Sequence, residues 1–246
     1  MSKLKDFVRN QLSHRGWFLR KLAGLPAGIS IEHDMLSSAG LLAPQLILDV
    51  GAHQGETAER FVHAFPVARI LSFEPIAANF LVLSARAQAW HNVTCFKLGL
   101  SDRTGQSNIV LQDNSQTHSL ELRHPSTSRS GGSLETIDIS TLDNFVAIHQ
   151  LPRIDLLKVD VEGHELAVLR GAANMFARQQ IDAVLLEATL DPEDSVHTQL
   201  AAAIDWLRPH GFKLTALYDQ AISRQPTKLA YFNALFVSSM RSAPLP

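Results

Sequence analysis

The chain has few of the features that mark specialised classes of protein. Among its 246 residues there is one cysteine, Cys95, which excludes an internal disulfide and a zinc cluster of cysteines. Lys and Arg number 22 against 24 Asp and Glu, and this lack of a basic excess argues against nucleic-acid binding. No apolar run approaches the ~20 residues that cross a bilayer, and the charged start has no signal-peptide core. We therefore expect a cytoplasmic globular protein without a transmembrane segment.

The two common phosphate-binding loops are also missing. The segment LILDVGAHQGETAERF, Leu46 to Phe61, passes from an apolar run through two glycines into a helical pattern. A Walker loop requires Lys after its last glycine, and none follows Gly55. The dinucleotide pattern G-x-G-x-x-G requires glycine at the position of His53. The remaining pattern, D-x-G-x-x-x-G, is equally typical of a tight connection between strand and helix.

From Gln45 onward, short apolar runs alternate with helical stretches. This alternation predicts a Rossmann-like α/β fold with a doubly wound, mostly parallel sheet of seven strands. The last two strands are joined by a loop rather than a helix, so we expect the last strand to be antiparallel. Strands are predicted at 45–50, 68–75, 92–100, 154–163, 181–189, 212–219 and 231–239, and helices at 57–65, 76–90, 165–180 and 197–211.

The sequence divides into an N-terminal helical extension, residues 1–43, and an α/β domain, residues 44–246. Leu4–Leu22 carries apolar residues at helical spacing with Lys and Arg between them. This pattern predicts a helical cap on the domain; the alternative is a peripheral helix at a membrane surface. Residues 112–133 are rich in Ser, Thr and Gly and are expected to form a mobile insertion.

Polar residues follow the second and third predicted strands. Glu74 ends the second strand, at roughly the ~20-residue interval after the glycine turn at which an acid holds ribose hydroxyls in nucleotide-binding folds. Paired with Asp49 and the glycines, this position favours ribose binding over a solvated acid or a helix cap. Ser101 and Asp102 follow the third strand, where an acid can accept a hydrogen bond from an adenine amino group. The segment SDRTG is equally good turn chemistry, so both interpretations stay open.

Five segments together resemble the FkbM-type methyltransferases, a branch of the class I S-adenosylmethionine-dependent methyltransferases. They are ILDVGAHQGE, LSFEP, GLSDRTG, STLDNF and IDLLKVDVEGHELAVLRGA, and the resemblance extends from Gln45 to Ser238. The family usually has Asn where this chain has His53, and both residue types tolerate a left-handed backbone. The resemblance implies S-adenosylmethionine as cofactor and O-methylation of a sugar, glycan or secondary metabolite.

The resemblance also implies roles for the residues of the glycine turn. Backbone N–H groups between Gly51 and Gly55, with His53 between them, can meet the carboxylate of the cofactor's amino-acid tail. Asp49 can balance its ammonium group, and Glu74 can bind its ribose.

The residues of KVDVEGHE predict where the chemistry takes place. In the usual class I strand order, the fourth strand lies beside the first and faces the methyl group. Asp160 and His164 follow that strand, and Glu187 ends its neighbour. Asp160 and Glu187 can hold Mg²⁺, which prefers oxygen ligands; without a metal, Asp160 or His164 is the expected base. Glu162 is alternatively a cap for the helix at Glu165.

Two other functions compete with O-methylation. One is a nicotinamide-dependent oxidoreductase, against which the missing second glycine and the KVDVEGHE segment count. The other is a catalytically degenerate cofactor-binding protein that serves as an assembly partner. The sequence does not name the acceptor, the methylated position or the oligomeric state.

Overall fold

The computed structural model describes residues 26–36, 44–111, 133–224 and 226–239. Its main sheet has seven strands in the order β3-β2-β1-β7-β8-β10-β9. The first five run parallel, and β10 is antiparallel to both β8 and β9. The predicted fold class is therefore confirmed, including the antiparallel last strand. The segment Leu4–Leu22 and nearly all of the insertion 112–133 lie outside the described residues.

The elements of the described chain alternate as the sequence predicts. The strands are β1 (Leu46–Val50), β2 (Arg69–Phe73), β3 (Val93–Phe96), β4 (Gly99–Leu100), β5 (Gly105–Leu111), β6 (Ser133–Ser140), β7 (Ile154–Val159), β8 (Ile181–Ala188), β9 (Phe212–Arg224) and β10 (Thr227–Ser238). The helices are α1 (Ile31–Leu36), α2 (Glu56–Ala64), α3 (Ala77–Ala87), α4 (Leu142–His149), α5 (Glu165–Arg170), α6 (Ala173–Ala177) and α7 (Leu200–Leu207), followed by a 3-10 turn at Arg208–His210.

The central strands are continuous apolar runs because both of their faces are covered. Every residue of β1 and β8 is buried. Leu48 and Val50 of β1 pack in a core with α4, α5, α6 and α7, whereas Ile47 packs in a second core with α1 and α2. A parallel sheet sandwiched between helices needs apolar side chains on both sides, and this places the polar strand ends together at one edge.

A small second sheet was not expected from the sequence. It has the order β4-β6-β5, and its apolar side chains include Ile109, Ile137 and Ile139. The segment predicted as one strand, 92–100, is split between the two sheets: Val93–Phe96 pairs with β2, and Gly99–Leu100 pairs with β6. The change of partner is a tertiary effect, which the period of the apolar residues does not reveal.

Two predicted helices are shorter than their sequence pattern. The helix at 165–180 is divided into α5 and α6 at Gly171, where an added Cβ would lie 2.0 Å from the carbonyl oxygen of Ser101. The helix at 197–211 begins only at Leu200 and ends in the 3-10 turn before Gly211. His197 therefore belongs to the loop that precedes α7.

The described part of the N-terminal extension packs against the domain. Ile31 and Met35 of α1 are buried in the same core as Phe61. Asp34 Oδ2 accepts hydrogen bonds from the backbone N–H of Gly28 and from the hydroxyl of Tyr218, both at 2.8 Å. Within the ranges given above, the structure contains no helix of the length and apolarity that a membrane span requires.

Candidate active site

A cavity of about 350 Å³ opens at the carboxyl ends of β1, β2, β7 and β8. Its size lies within the range of ligand pockets in enzymes, and its position is the one at which doubly wound sheets bind ligands. Its wall includes the polar residues His53, Glu74, Asp160, Glu162, His164 and Glu187. The strand-end acids that the sequence singled out, with the exceptions of Asp49 and Asp102, thus face one cleft.

The glycine turn approaches the next strand too closely for a side chain. Gly51 has φ +76°, and a Cβ there would lie 1.8 Å from the carbonyl oxygen of Asp160. The backbone N–H groups of Gly51 and Ala52 both donate to the carbonyl of Phe73, and that of Gly55 donates to Ala52. These amides hold the turn, so they are not free to meet a cofactor carboxylate in this structure.

His53 occupies the left-handed region with φ +48°, as its position in the turn requires. Its Nδ1 lies 3.3 Å from a carboxylate oxygen of Glu56. Its Nε2 is buried, and no hydrogen-bond partner for it exists in the described part of the chain. An orphaned buried nitrogen on a cavity wall is a group that a bound ligand can satisfy.

Glu74 is held on the opposite side of the same turn. Its side chain is 4% exposed, and its two oxygens accept from the backbone N–H groups of His53 (3.0 Å) and Ile76 (2.9 Å). Burial raises the pKa of Glu74 to about 7, although these hydrogen bonds act in the opposite direction. A carboxylate oxygen has more than one lone pair, so both oxygens keep capacity for hydroxyl donors from the cavity.

Lys158 connects the two sides of the cleft. Its ammonium lies 3.2 Å from Asp49 Oδ1 and 3.4 Å from Asp160 Oδ2, and it donates to the carbonyl of Gly51 at 2.9 Å. Burial alone would lower the pKa of Lys158, but the carboxylates of Asp49 and Asp160 outweigh burial and raise it. Lys158 is therefore an ion-pair partner of two acids, Asp49 and Asp160.

Asp49 lies beneath the cleft. It is fully buried, and burial raises its pKa while Lys158 opposes that rise. The raised pKa of Asp49 favours its neutral form. The raised pKa of Lys158, in contrast, arises from carboxylates that are charged. We take Lys158 as charged, because two carboxylates and a carbonyl surround it. Asp49 is not among the described residues that line the cavity, and it contacts Lys158, which is; the balancing of a cofactor ammonium by Asp49 stays a prediction.

Ser101 and Asp102 are engaged with neighbours of the cleft. The Ser101 hydroxyl lies 2.9 Å from Nε2 of His164, and Asp102 lies 3.3 Å from the guanidinium of Arg170. Burial lowers the pKa of His164, which favours the neutral imidazole. His164 is on the cavity wall, whereas neither Ser101 nor Asp102 is among the described residues that line it. An adenine contact at Ser101 or Asp102 stays a prediction.

The turn that follows Asp160 is closed by Glu165 instead of Glu162. Glu165 is buried, and its carboxylate accepts from the backbone N–H groups of Val161 and Gly163 and from the hydroxyl of Thr198. The interpretation of Glu162 as a helix cap is therefore wrong. Glu162 instead has φ +53° and extends into the cleft, where burial and the charge of Asp160 raise its pKa to about 7.

Glu187 lies opposite Glu162 at the end of β8. Burial raises its pKa first, and the charges of Asp160 and Glu162 raise it further. Nε2 of His197 is 3.6 Å from its Oε2, and the His197 ring stacks on Tyr231 with 4.6 Å between centroids. Sequence reasoning missed His197, Asp194 and Tyr231. The only signal was an acid-rich loop, LDPEDSVH, directly after the strand that ends in Glu187.

Comparisons with known proteins agree with this geometry. The family model for the methyltransferase FkbM domain matches residues 49–214. "Methyltransferase 1" of Beauveria bassiana is 32% identical over 143 residues, which cover 51% of this chain and 57% of that protein. "Hexuronic acid methyltransferase AglP" of Haloferax volcanii is 32% identical over 132 residues, covering 52% and 51% respectively.

The chain thus spans between half and three fifths of the length of these two relatives. Among solved structures, the METTL16 MTase domain is similar with a TM-score of 0.48 and 11% identity, covering 80% of this chain and 60% of that one.

Proposed function

The chain belongs to the FkbM methyltransferase family, and from that premise we propose that it transfers the methyl group of S-adenosylmethionine to a hydroxyl oxygen of a sugar, glycan or secondary metabolite. The family is that of a methyltransferase domain, which supports methyl transfer over the nicotinamide-dependent oxidoreductase. The cofactor, the oxygen acceptor and the roles of individual residues are the proposal.

The observation that carries the proposal is the pairing of Glu74 with the glycine turn at the cavity wall. The Glu74 carboxylate is fixed by two backbone N–H groups and keeps lone pairs for two neighbouring hydroxyls, as a ribose presents. Gly51 lets the turn pack against the carbonyl of Asp160, and the orphaned Nε2 of His53 offers one further polar contact to a ligand. These groups fit a nucleoside better than they fit a pyrophosphate, for which free backbone N–H groups would be needed.

S-adenosylmethionine supplies a methyl group already activated on a sulfonium. The protein must then place the acceptor oxygen in line and help remove its proton, and positioning alone can contribute up to ~7–11 kcal/mol. Glu74, Gly51, His53 and Gly55 hold the cofactor in this proposal. Ser101 and Asp102 remain the proposed contacts of the adenine, provided that their present partners are exchanged on binding.

Asp160 is the proposed group that orients the acceptor hydroxyl and takes its proton. Its side chain is on the cavity wall, and Lys158 holds it from one side, so the carboxylate presents a fixed oxygen to the cleft. His164 is the alternative base, because burial favours its neutral form. Glu187 is the third proposed catalytic acid. Mg²⁺ held between Asp160 and Glu187 stays a prediction.

The acceptor side of the cleft favours a ligand rich in hydroxyl groups. Glu162, Glu187 and Tyr231 line it; the carboxylates can accept hydrogen bonds from hydroxyl groups, and the Tyr231 hydroxyl can donate one. That one relative is named as a hexuronic acid methyltransferase supports a sugar acceptor as the first class to test.

Calorimetry and a transfer assay test the proposal in two steps. S-adenosylhomocysteine should bind the purified protein with one site, while NAD should not bind. Labelled S-adenosylmethionine should then methylate a panel of uronic acids and other glycans, and the label should be stable to conditions that cleave methyl esters but not methyl ethers. Binding of NAD alone would contradict the cofactor assignment. Cofactor binding without transfer to any oxygen, nitrogen or sulfur acceptor would favour a degenerate assembly protein.

A further inference from the structure

Three side chains from separate parts of the chain converge at the acceptor side of the cleft. Glu162 follows β7, Glu187 ends β8, and His197 belongs to the loop before α7. One carboxylate oxygen from each glutamate and a ring nitrogen of His197 all lie within 4.8 Å of one another. We propose that Glu162, Glu187 and His197 bind a divalent first-row transition-metal ion.

The orientation of His197 supports this assignment. Its Nδ1 lies 2.8 Å from Asp194 Oδ2, so a neutral ring carries its proton on Nδ1 and leaves a lone pair on Nε2. The Nε2 atom is the one that faces Glu187. A carboxylate that holds one nitrogen while the other meets a metal is the usual second shell of a histidine ligand. Tyr231 stacks on the ring and limits its rotation.

The carboxylates lack the partners that a purely structural role would supply. Glu187 is 9% exposed, yet neither it nor Glu162 accepts a hydrogen bond from any residue the structure describes. The contact between Glu187 and His197 is 3.6 Å, which is too long for a hydrogen bond. A buried acid beside a half-buried one, both without donors, is costly unless a cation neutralises the pair. Lys158 is already shared by Asp49 and Asp160.

The backbone holds this arrangement in place. Glu162 has φ +53°, in the left-handed region that non-glycine residues rarely adopt. A Cβ on the adjacent Gly163 would lie 2.0 Å from the carbonyl oxygen of Val196, so the turn and the His197 loop are in direct contact. Glu165 ties the same two segments together through Thr198. The ligands are therefore positioned by a packed interface between two loops.

The ligand set indicates the class of ion. Bonds of ~2.1 Å place adjacent octahedral ligands ~3.0 Å apart and opposite ones ~4.2 Å apart. The three atoms lie within 4.8 Å of one another, so they must approach by up to about 1.8 Å when the ion binds. One imidazole and two carboxylates suit Mn²⁺, Fe²⁺, Co²⁺ or Zn²⁺, whereas Mg²⁺ and Ca²⁺ prefer oxygen ligands alone. Three protein ligands leave positions for water or for an acceptor hydroxyl.

Binding of the ion does not depend on the proposed methyl transfer, although an ion here would lie in the same cleft. The competing explanation is a protonated His197 that bridges Asp194 and Glu187 without a metal. Both explanations predict that His197 matters for stability, so the decisive measurement is binding of the ion itself, in the absence of cofactor and acceptor.

The test uses the full chain after treatment with a chelator. Mn²⁺ is titrated in, and the free aqueous ion is followed by electron paramagnetic resonance. We expect one saturable equivalent in the wild type, a loss of affinity of at least tenfold in Glu187→Gln and His197→Gln, and a loss of ~10- to 100-fold in Asp194→Asn, through the orientation of His197. Glu193→Gln, at an exposed position of the same loop, and His63→Ala, at an exposed position of α2, should bind Mn²⁺ as the wild type does.

Absorption of bound Co²⁺ supplies a readout that mere unfolding would not imitate. The spectrum should shift when His197 is replaced and circular dichroism shows the fold intact. The absence of saturable Mn²⁺ binding at millimolar concentration would overturn the assignment, as would equal affinity in the wild type and both ligand variants. Either result would leave S-adenosylhomocysteine binding unaffected, whereas a protein that binds Mn²⁺ but no S-adenosylhomocysteine would contradict only the proposed function.

Discussion

The two sides of the cleft are built in opposite ways. The cofactor side, where the cofactor is proposed to bind, lies at the ends of β1 and β2. There the Glu74 carboxylate accepts two backbone hydrogen bonds, and the N–H groups of Gly51 and Ala52 donate to the carbonyl of Phe73. On the acidic side, at the ends of β7 and β8, Glu162 and Glu187 face each other without hydrogen-bond donors among the described residues. The first side already holds its acid by backbone hydrogen bonds and leaves His53 Nε2 for a ligand, while the other still needs a positive charge or donors from a ligand.

This difference separates a preorganised site from one that its ligand completes. Hydrogen bonds fixed before binding reduce the entropy that a cofactor must overcome, which suits a molecule used in every turnover. Unpaired acids cost stability until a cation or a hydroxyl-rich acceptor arrives. Lys158 lies between the two sides and contacts Gly51 on one and Asp160 on the other. The two sides meet where the backbone of Gly51 packs against the carbonyl oxygen of Asp160.

We expect the largest effect from a substitution that disrupts the contact of Gly51 with Asp160. In Gly51→Ala the new Cβ would meet the Asp160 carbonyl oxygen at 1.8 Å in a left-handed backbone, so both sides must shift. We expect a loss of unfolding free energy of at least ~3 kcal/mol and a fall of more than ~100-fold in S-adenosylhomocysteine affinity. Gly105→Ala is the matched control, because Gly105 also has positive φ but has no atom within 4 Å of the added Cβ. Equal losses in the two variants would show that backbone strain alone is responsible.

The second-largest effect is expected from a substitution of Asp160, on the acidic side of the cleft. Asp160→Asn keeps the size of the side chain but removes its charge, so turnover should fall by ~10²-fold or more while S-adenosylhomocysteine affinity stays near normal. Asp205→Asn on the exposed face of α7, where Asp205 pairs only with Arg208, should retain full activity. Initial rates and calorimetry measure the two quantities. Full activity in both Asp160→Asn and His164→Ala would place the chemistry elsewhere.

The same contrast explains how far the sequence could go. Glu74 and Asp160 were predictable because each directly follows a buried apolar strand, and parallel strands bring their carboxyl ends to one edge. The alternating elements predicted a parallel, doubly wound sheet, whereas the position of the fourth strand beside the first was an expectation from the family resemblance. The small second sheet was missed because Val93–Leu100 is a single apolar run, whose division depends on pairing with β6, distant in sequence.

The residues that sequence reasoning missed act only through tertiary contacts. His197 stands alone in a loop. The contact of Gly163 with Val196 and the hydrogen bonds of Thr198 with Glu165 and Thr189 bring that loop to the cleft. The break between α5 and α6 likewise depends on the approach of Gly171 to Ser101, which no helical periodicity encodes. The burial of Asp49 beneath the cleft follows from its pairing with Lys158, a neighbour in the sheet rather than in the chain.

A smaller effect is expected on the cofactor side. Glu74→Ala removes the proposed acceptors of the ribose hydroxyls and the anchor of the His53 amide. Losing hydrogen bonds to a charged group costs roughly 1.5–3 kcal/mol, or about ten- to a hundredfold in S-adenosylhomocysteine affinity by calorimetry. Glu193→Ala, at an exposed loop position, is the control and should bind normally. Unchanged affinity in Glu74→Ala with the fold intact would contradict the ribose assignment.

The smallest expected effect is a dependence of S-adenosylhomocysteine affinity on pH. Because burial raises the pKa of Glu74 to about 7, the carboxylate that accepts ribose hydroxyls is lost as pH falls through neutrality. Between pH 8 and pH 6 the ionised fraction falls by about tenfold, so S-adenosylhomocysteine affinity should fall by up to that factor. Glu74→Gln cannot titrate, and its weaker affinity should therefore be flat over this range. Calorimetry at matched ionic strength compares the two proteins. If S-adenosylhomocysteine affinity depends on pH in Glu74→Gln as it does in the wild type, a group other than Glu74 is responsible for that dependence.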